Sequence, residues 1–229
     1  MLKLMKLEIQ KFKIRIRGVI IANLIMLASS VLIIVASLNS KDLPFSDYNN
    51  MFAFTGSIVR AVLMVFAAVL ISRLLIDEYK NKTINVLFMY PIKRRKIMIS
   101  KLFIIVIFTF VGMFLSEVFL NFNLYILNIF AKFIKEPFTV NILLENLIHI
   151  TIYSAIFSFV SLIPVYFGMR KKSGSATIVT AVILISVFNS GSSNTTLSSY
   201  ILIPIIGAIL GIIGSFIAIK DIEELDVIS

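Results

Sequence analysis

A chain of 229 residues with 59% hydrophobic and only 15% charged side chains falls outside the balance of a soluble domain and reads as a membrane protein. The formal charge of +10 sits at the ends of apolar runs, which makes it a signal of orientation and a poor indication of nucleic-acid binding. The chain has no cysteine and one histidine, His149, which excludes disulfide frameworks, Cys-based zinc sites and thiol catalysis.

The leader MLKLMKLEIQKFKIRIR, residues 1–17, alternates Leu4, Leu7, Phe12 and Ile16 with cations. That pattern predicts an amphipathic helix lying in the membrane interface. The leader has no apolar core ahead of a small-residue cleavage site, so it is not a signal peptide and the first span is retained. Apolar runs bounded by charge then predict six spans, at 18–38, 56–76, 97–120, 142–167, 176–190 and 200–219, each near the roughly 20 residues that cross a bilayer as a helix. The runs are continuous and do not alternate as a barrel strand does, and lipid leaves no other way to satisfy the backbone. The fold class is therefore an all-α integral membrane protein, a single transmembrane domain over residues 1–229 with no separate soluble domain.

Lysine and arginine set the orientation. Lys3, Lys6, Lys11, Lys13, Arg15 and Arg17 in the leader, Arg73, Lys80, Lys82, Lys93, Arg94, Arg95, Lys96 and Lys101 around the second loop, and Arg170, Lys171 and Lys172 in the fourth fall on one side of a six-span chain. The other side carries only Lys41, Lys132 and Lys135. By the positive-inside rule both termini are cytoplasmic, in a multi-pass protein of the cell membrane.

Between spans two and three, residues 77–96 begin as DEYKNK and continue as TINVLFMYP before a basic cluster. Asn81, Lys82 and Thr83 supply cap-forming residues, and Tyr90-Pro91 should end a short helix from Thr83 to Met89. Thr83, Leu87 and Tyr90 share one face of it. Ile84, Val86, Leu87, Phe88 and Met89 hold too much apolar surface for a free loop, at about 25 cal/mol per Å² of buried area. The acidic Asp77 and Glu78 beside them disfavour an anionic lipid surface, so the expected contact is another protein.

Ionisable groups within spans are costly and mark packing or function. Arg60 in span two and Glu117 in span three both lie toward the outer leaflet, where an ion pair would offset the cost of either charge. The pair either fixes helix packing or serves as a gate in a substrate path. Glu145 and His149, one turn apart at the start of span four, supply too few ligands for a metal and read as an interfacial hydrogen-bonded pair. Pro164 and Pro204 interrupt spans four and six, and Gly207, Gly211 and Gly214 form a small-residue packing face.

Glu78, Thr83, Leu87, Pro91, Arg94, Arg95 and Lys101, in this order after the second span, resemble the membrane subunits of type-two ABC transporters, especially small permeases of bacterial peptide-export and lantibiotic-immunity systems. Where that family often has a glycine before the threonine, this chain has Lys82. The resemblance implies a six-span permease half, with the leader as an interfacial connecting helix and the 77–96 segment carrying a short cytoplasmic coupling helix. Its ATPase-coupling positions would be Asp77, Glu78, Tyr79, Thr83, Ile84, Leu87, Phe88 and Pro91. It further implies two separate ATPase subunits carrying ATP and Mg, a second permease chain, identical or related, and export of an amphipathic peptide such as a lantibiotic or a cytolytic peptide of the phenol-soluble-modulin type.

The chain has no G-x-x-x-x-G-K-[ST] cradle, so the nucleotide is expected on a separate polypeptide, and this chain is expected to be a transport subunit that binds no cofactor and is no enzyme by itself. An intramembrane enzyme would need a catalytic constellation in the spans, and no nucleophile elbow or paired acids with histidine are present. A non-ATP-driven six-span binding or channel module remains the alternative, although it has less use for an apolar helix in the second cytoplasmic loop.

Overall fold

A computed structural model describes residues 23–26, 28, 47–77, 94–131, 134, 139–192, 195–197 and 200–225. In chain order these form α1 (Tyr48–Ile71), a π-helical turn (Ser72–Ile76), α2 (Arg94–Ala131), α3 (Val140–Val160), α4 (Ile163–Lys171), α5 (Gly174–Asn189) and α6 (Leu202–Leu225). The extended residues among those described are confined to β1 (Gly191–Ser192) and β2 (Thr195–Thr196), which pair antiparallel in the uncharged Ser/Asn/Thr loop. The chain is all-α in substance, as its apolar runs predict.

Four stretches, Tyr48–Ile76, Lys96–Phe130, Val140–Lys171 and Leu202–Lys220, are long and apolar enough to cross a membrane, and Gly174–Asn189 is apolar but shorter. These helices make the protein a multi-pass membrane protein. The predicted spans 56–76, 97–120, 142–167, 176–190 and 200–219 fall on them. The leader and most of span 18–38 lie outside the described residues, although 23–26 and 28 are helical. The helices exceed the apolar runs: α2 has 38 residues, about 57 Å at 1.5 Å per residue, well beyond the ~30 Å of bilayer hydrocarbon. Its extension runs through Asn121, Asn123 and Asn128, polar residues that break a hydropathy reading without breaking a helix.

Backbone chemistry sets the corners. Pro164 does break the fourth span: α3 ends at Val160, and α4 restarts with the proline in its first turn, where a missing N–H costs nothing. Pro204 lies in the first turn of α6, so it opens that helix and does not interrupt it. At the end of α4, Lys172 adopts φ 46° and its N–H donates to the carbonyls of Gly168 and Met169. This is a left-handed C-terminal cap of the kind glycine usually provides.

The chain divides into two compact units, and the division falls within helices. Of the described residues, one unit takes in those within 63–110 and 155–225, the other those within 23–62 and 111–154. The first is built on an apolar cluster of Ile71, Leu74, Leu75, Ile76, Met98, Leu102, Ile105, Leu162, Val165, Met169, Ala218 and Ile219, with α4 packed on α5 and α6. The glycines of α6 allow the close approach. A Cβ on Gly211 would run into the carbonyl oxygen of Phe159, one on Gly207 would lie 2.9 Å from Phe188 Cζ, and one on Gly214 would make ordinary contact with Tyr166. In the second unit a smaller cluster gathers Tyr48, Met51, Leu124 and Ile134.

Candidate functional site

The second unit holds the charged pair singled out by sequence. On α1, Thr55, Gly56 and Arg60 fall on one face at helical spacing, and on α2 Glu117, Asn121 and Asn128 do the same at steps of four and seven. The two faces meet. The Thr55 hydroxyl donates to Asn121 Oδ1 at 2.6 Å, and Asn128 Nδ2 donates to the Tyr48 hydroxyl at 2.8 Å. Positions rise along α1 as they fall along α2, the mark of antiparallel neighbours.

Arg60 and Glu117 converge where Gly56 has no side chain. A Cβ at that position would sit 2.5 Å from Glu117 Oε1 and 2.7 Å from Arg60 Nη1. The absence of a side chain makes the room in which carboxylate and guanidinium come together. Glu117 is 5% exposed, while Arg60 is half-buried and has further partners. Its Nη2 donates to Ser57 Oγ at 3.3 Å, and its Cζ lies 5.4 Å from the centroid of the Tyr153 ring on α3, a cation–π contact. Three helices thus supply polar groups to one centre. Within it a carboxylate buried in low dielectric has the nearby opposite charge that makes burial tolerable.

Sequence reasoning names the two ionisable members and misses Thr55, Gly56, Asn121 and Tyr153. The available signal is the spacing of neutral polar residues from the charged ones, Asn121 one turn beyond Glu117 and Gly56 one turn before Arg60. Three polar atoms in the same unit, Ser116 Oγ, Asn121 Nδ2 and Ser154 Oγ, are buried and make no hydrogen bond. Glu145 and His149 are not the hydrogen-bonded pair that their spacing suggests: the imidazole stacks on Tyr153, with centroids 5.6 Å apart and planes 13° from parallel. Among the described residues no group of side chains could hold a metal.

Of the residues expected to couple to an ATPase, Asp77 is described. Asp77 caps the π-helical turn, its N–H donating to the Ser72 carbonyl. Glu78, Tyr79, Thr83, Ile84, Leu87, Phe88 and Pro91 lie outside the described residues. On α2, Lys96 is exposed, but Lys101 is 1% exposed and its Nζ donates to the Leu74 carbonyl of the π-helical turn at 2.9 Å.

Comparison with known proteins gives this helical membrane chain its relatives. The chain is 35% identical over 227 residues, 98% of its own length and the whole of the relative, to the uncharacterized protein YcbO of Bacillus subtilis (strain 168). No solved structure matches it significantly. Residues 4–190 match the family model described as ABC-2 family transporter protein, so the chain belongs to the ABC-2 family of transporter proteins and is a transport permease component.

Proposed function

We propose that this protein is the membrane-spanning half of an ATP-driven exporter of the bacterial cytoplasmic membrane, with six spans and both termini in the cytoplasm. The match to ABC-2 transporter proteins across residues 4–190 carries this reading. One six-span half gives one wall of a path, so it pairs with a second copy or a related permease, and two ATPase subunits holding ATP and Mg cap the assembly. The segment from Asp77 through Pro91 docks on the ATPase. Its substrate in this reading is an amphipathic or hydrophobic peptide, for which a helical bundle without a large outer domain supplies an apolar path.

The test is purification of the tagged chain from its native cell in mild detergent, with mass spectrometry of what accompanies it and cross-linking from single cysteines at Thr83 and Leu87. Because the chain has no cysteine, each introduced thiol reports alone. The expected result is stoichiometric recovery of an ATPase cross-linked at both positions, and loss of that association when TINVLFMY is replaced by a polar linker. Recovery of the chain alone, with both cysteines freely accessible, would favour a binding or channel module.

The Arg60–Glu117 centre holds three helices together in this reading. A second reading makes it a gate on the substrate path, and the buried, unbonded polar atoms of Ser116, Asn121 and Ser154 favour it, since native interiors rarely leave such groups unused. Exchanging Arg60 and Glu117 separates the two. Lost assembly speaks for packing, whereas intact assembly with lost transport speaks for the gate.

A further inference from the structure

We infer that Lys101 is a positioning residue for energy coupling: it clamps the π-helical turn Ser72–Ile76 to α2, so that a push arriving at Asp77 moves the second and third spans as one body. The inference rests on the reading of the chain as an ATPase-driven permease.

Four observations converge on it. A π-helical turn closes i→i+5 hydrogen bonds, here Asp77 N–H to Ser72 O, and such turns occur mostly as single interruptions of α-helices, often at functional positions. Left to itself, an interrupted helix would bend at that turn and dissipate a displacement applied at its end. The turn is not left to itself, because its Leu74 carbonyl accepts from Lys101 Nζ at 2.9 Å. This bond crosses from one span to the next within a single compact unit.

The setting of that lysine is the second observation. It is 1% exposed, and its chain neighbours Met98, Leu102 and Ile105 belong to the same apolar cluster as Ile71, Leu74, Leu75 and Ile76. Filling volume there does not require a cation. A methionine of similar length would bury without the desolvation that an ammonium must overcome. What the lysine adds is a donor that reaches a main-chain carbonyl, and a cation near the last carbonyls of a helix is also favoured by the helix dipole.

The third and fourth observations concern the turn's other side. At the start of α5, a Cβ on Gly174 would overlap Ser72 Oγ, and on α4 a Cβ on Gly168 would overlap Thr177 Oγ1 and lie 2.5 Å from Ile76 Cδ1. The turn is therefore held by α2 through a hydrogen bond and by the α4–α5 corner through contacts with no room for a methyl group. Close-packed interiors transmit displacement instead of absorbing it. With both contacts in place, a shift of Asp77 is carried into α2, α4 and α5 together.

The experiment uses the full chain with its co-purifying ATPase, reconstituted in lipid, and spin labels on cysteines at Arg73 in the turn and Phe103 on α2, both exposed. Distances are read without nucleotide and with ATP and vanadate. With Lys101 present the 73–103 distance is expected to stay the same in both states. In Lys101→Met the distribution is expected to broaden and become nucleotide-dependent, while the ATPase still co-purifies. Lys101→Arg, which keeps a donor, should restore the fixed distance. Efflux of a fluorescent amphipathic peptide per ATP hydrolysed should drop several-fold in Lys101→Met and recover in Lys101→Arg.

A 73–103 distance that changes with nucleotide when Lys101 is present would overturn the clamp, and so would a Lys101→Met distance indistinguishable from the parent's. The first of these readings stands even if the methionine variant fails to accumulate. An ATPase that never accompanies the parent chain would count against the permease reading, which the distances do not address.

Discussion

The two units hold their helices together by different means. Around Arg60 and Glu117 the contacts are polar and cross between helices: Thr55 to Asn121, Tyr48 to Asn128, and a guanidinium over the Tyr153 ring. In the other unit they are mainly apolar and depend on missing side chains, as at Gly211, with the buried Lys101 bonded elsewhere in it to the Leu74 carbonyl. In lipid the hydrophobic effect cannot drive helices together, so specific polar pairs and close backbone approach are the two devices that remain. Each unit relies mainly on one of them, and so they should fail differently.

The largest expected effect comes from breaking the polar centre on one side only. Glu117→Gln leaves Arg60 without its counter-charge and should cost on the order of 3–5 kcal/mol, seen as lost accumulation or a large fall in the thermal midpoint of the detergent-solubilised protein. The paired change Arg60→Met with Glu117→Met should recover most of that loss. If the double variant is as damaged as the single, the centre contributes more than mutual neutralisation. Next come the glycines of the packed unit, where the expected order follows what each new methyl group meets. Gly211→Ala faces a backbone oxygen and should cost about 1–3 kcal/mol, Gly207→Ala faces a movable phenylalanine ring and should cost less, and Gly214→Ala should be nearly neutral by the same midpoint assay. A reversed order would remove the packing account of this face.

Lys101→Met should have a smaller effect on stability than Glu117→Gln, because the lost charge-assisted bond, about 1.5–3 kcal/mol, is offset in part by the removed desolvation. Its signature is impaired coupling in a protein of near-normal abundance. The smallest effect is assigned to Thr55→Val, which removes one hydrogen bond between helices; such bonds average about 0.6 kcal/mol in membranes. A much larger loss would place Thr55 within a cooperative polar network.

Much of this was legible in the chain itself. Continuous apolar runs located the described helices, and a charge inside such a run singled out Arg60 and Glu117, whose pairing the sequence left open. Other features carry no such signal. The segment SRLLI has the composition of an α-helix, and nothing in it separates i→i+4 from i→i+5 bonding. Lys101 reads as one more cation near a membrane boundary, since its burial depends on where α2 meets the turn. Asn121 and Asn128 resemble the frayed end of a span, yet they are the residues that tie α2 to α1. Which side of a helix turns inward is fixed by its neighbours, and one sequence does not state it.

The hydroxyls of the apolar helices bear on how such a chain is made. Ser57, Thr151, Thr180 and Ser186 each donate to a carbonyl one turn back in their own helix, at 2.8 to 3.0 Å. These groups are satisfied as soon as the helix forms, so they ask nothing of a neighbouring segment. Glu117 and Asn121 have no such local solution; their partners arrive on a different segment of the chain. Placing these two helices in lipid together is therefore expected to cost less than placing either alone.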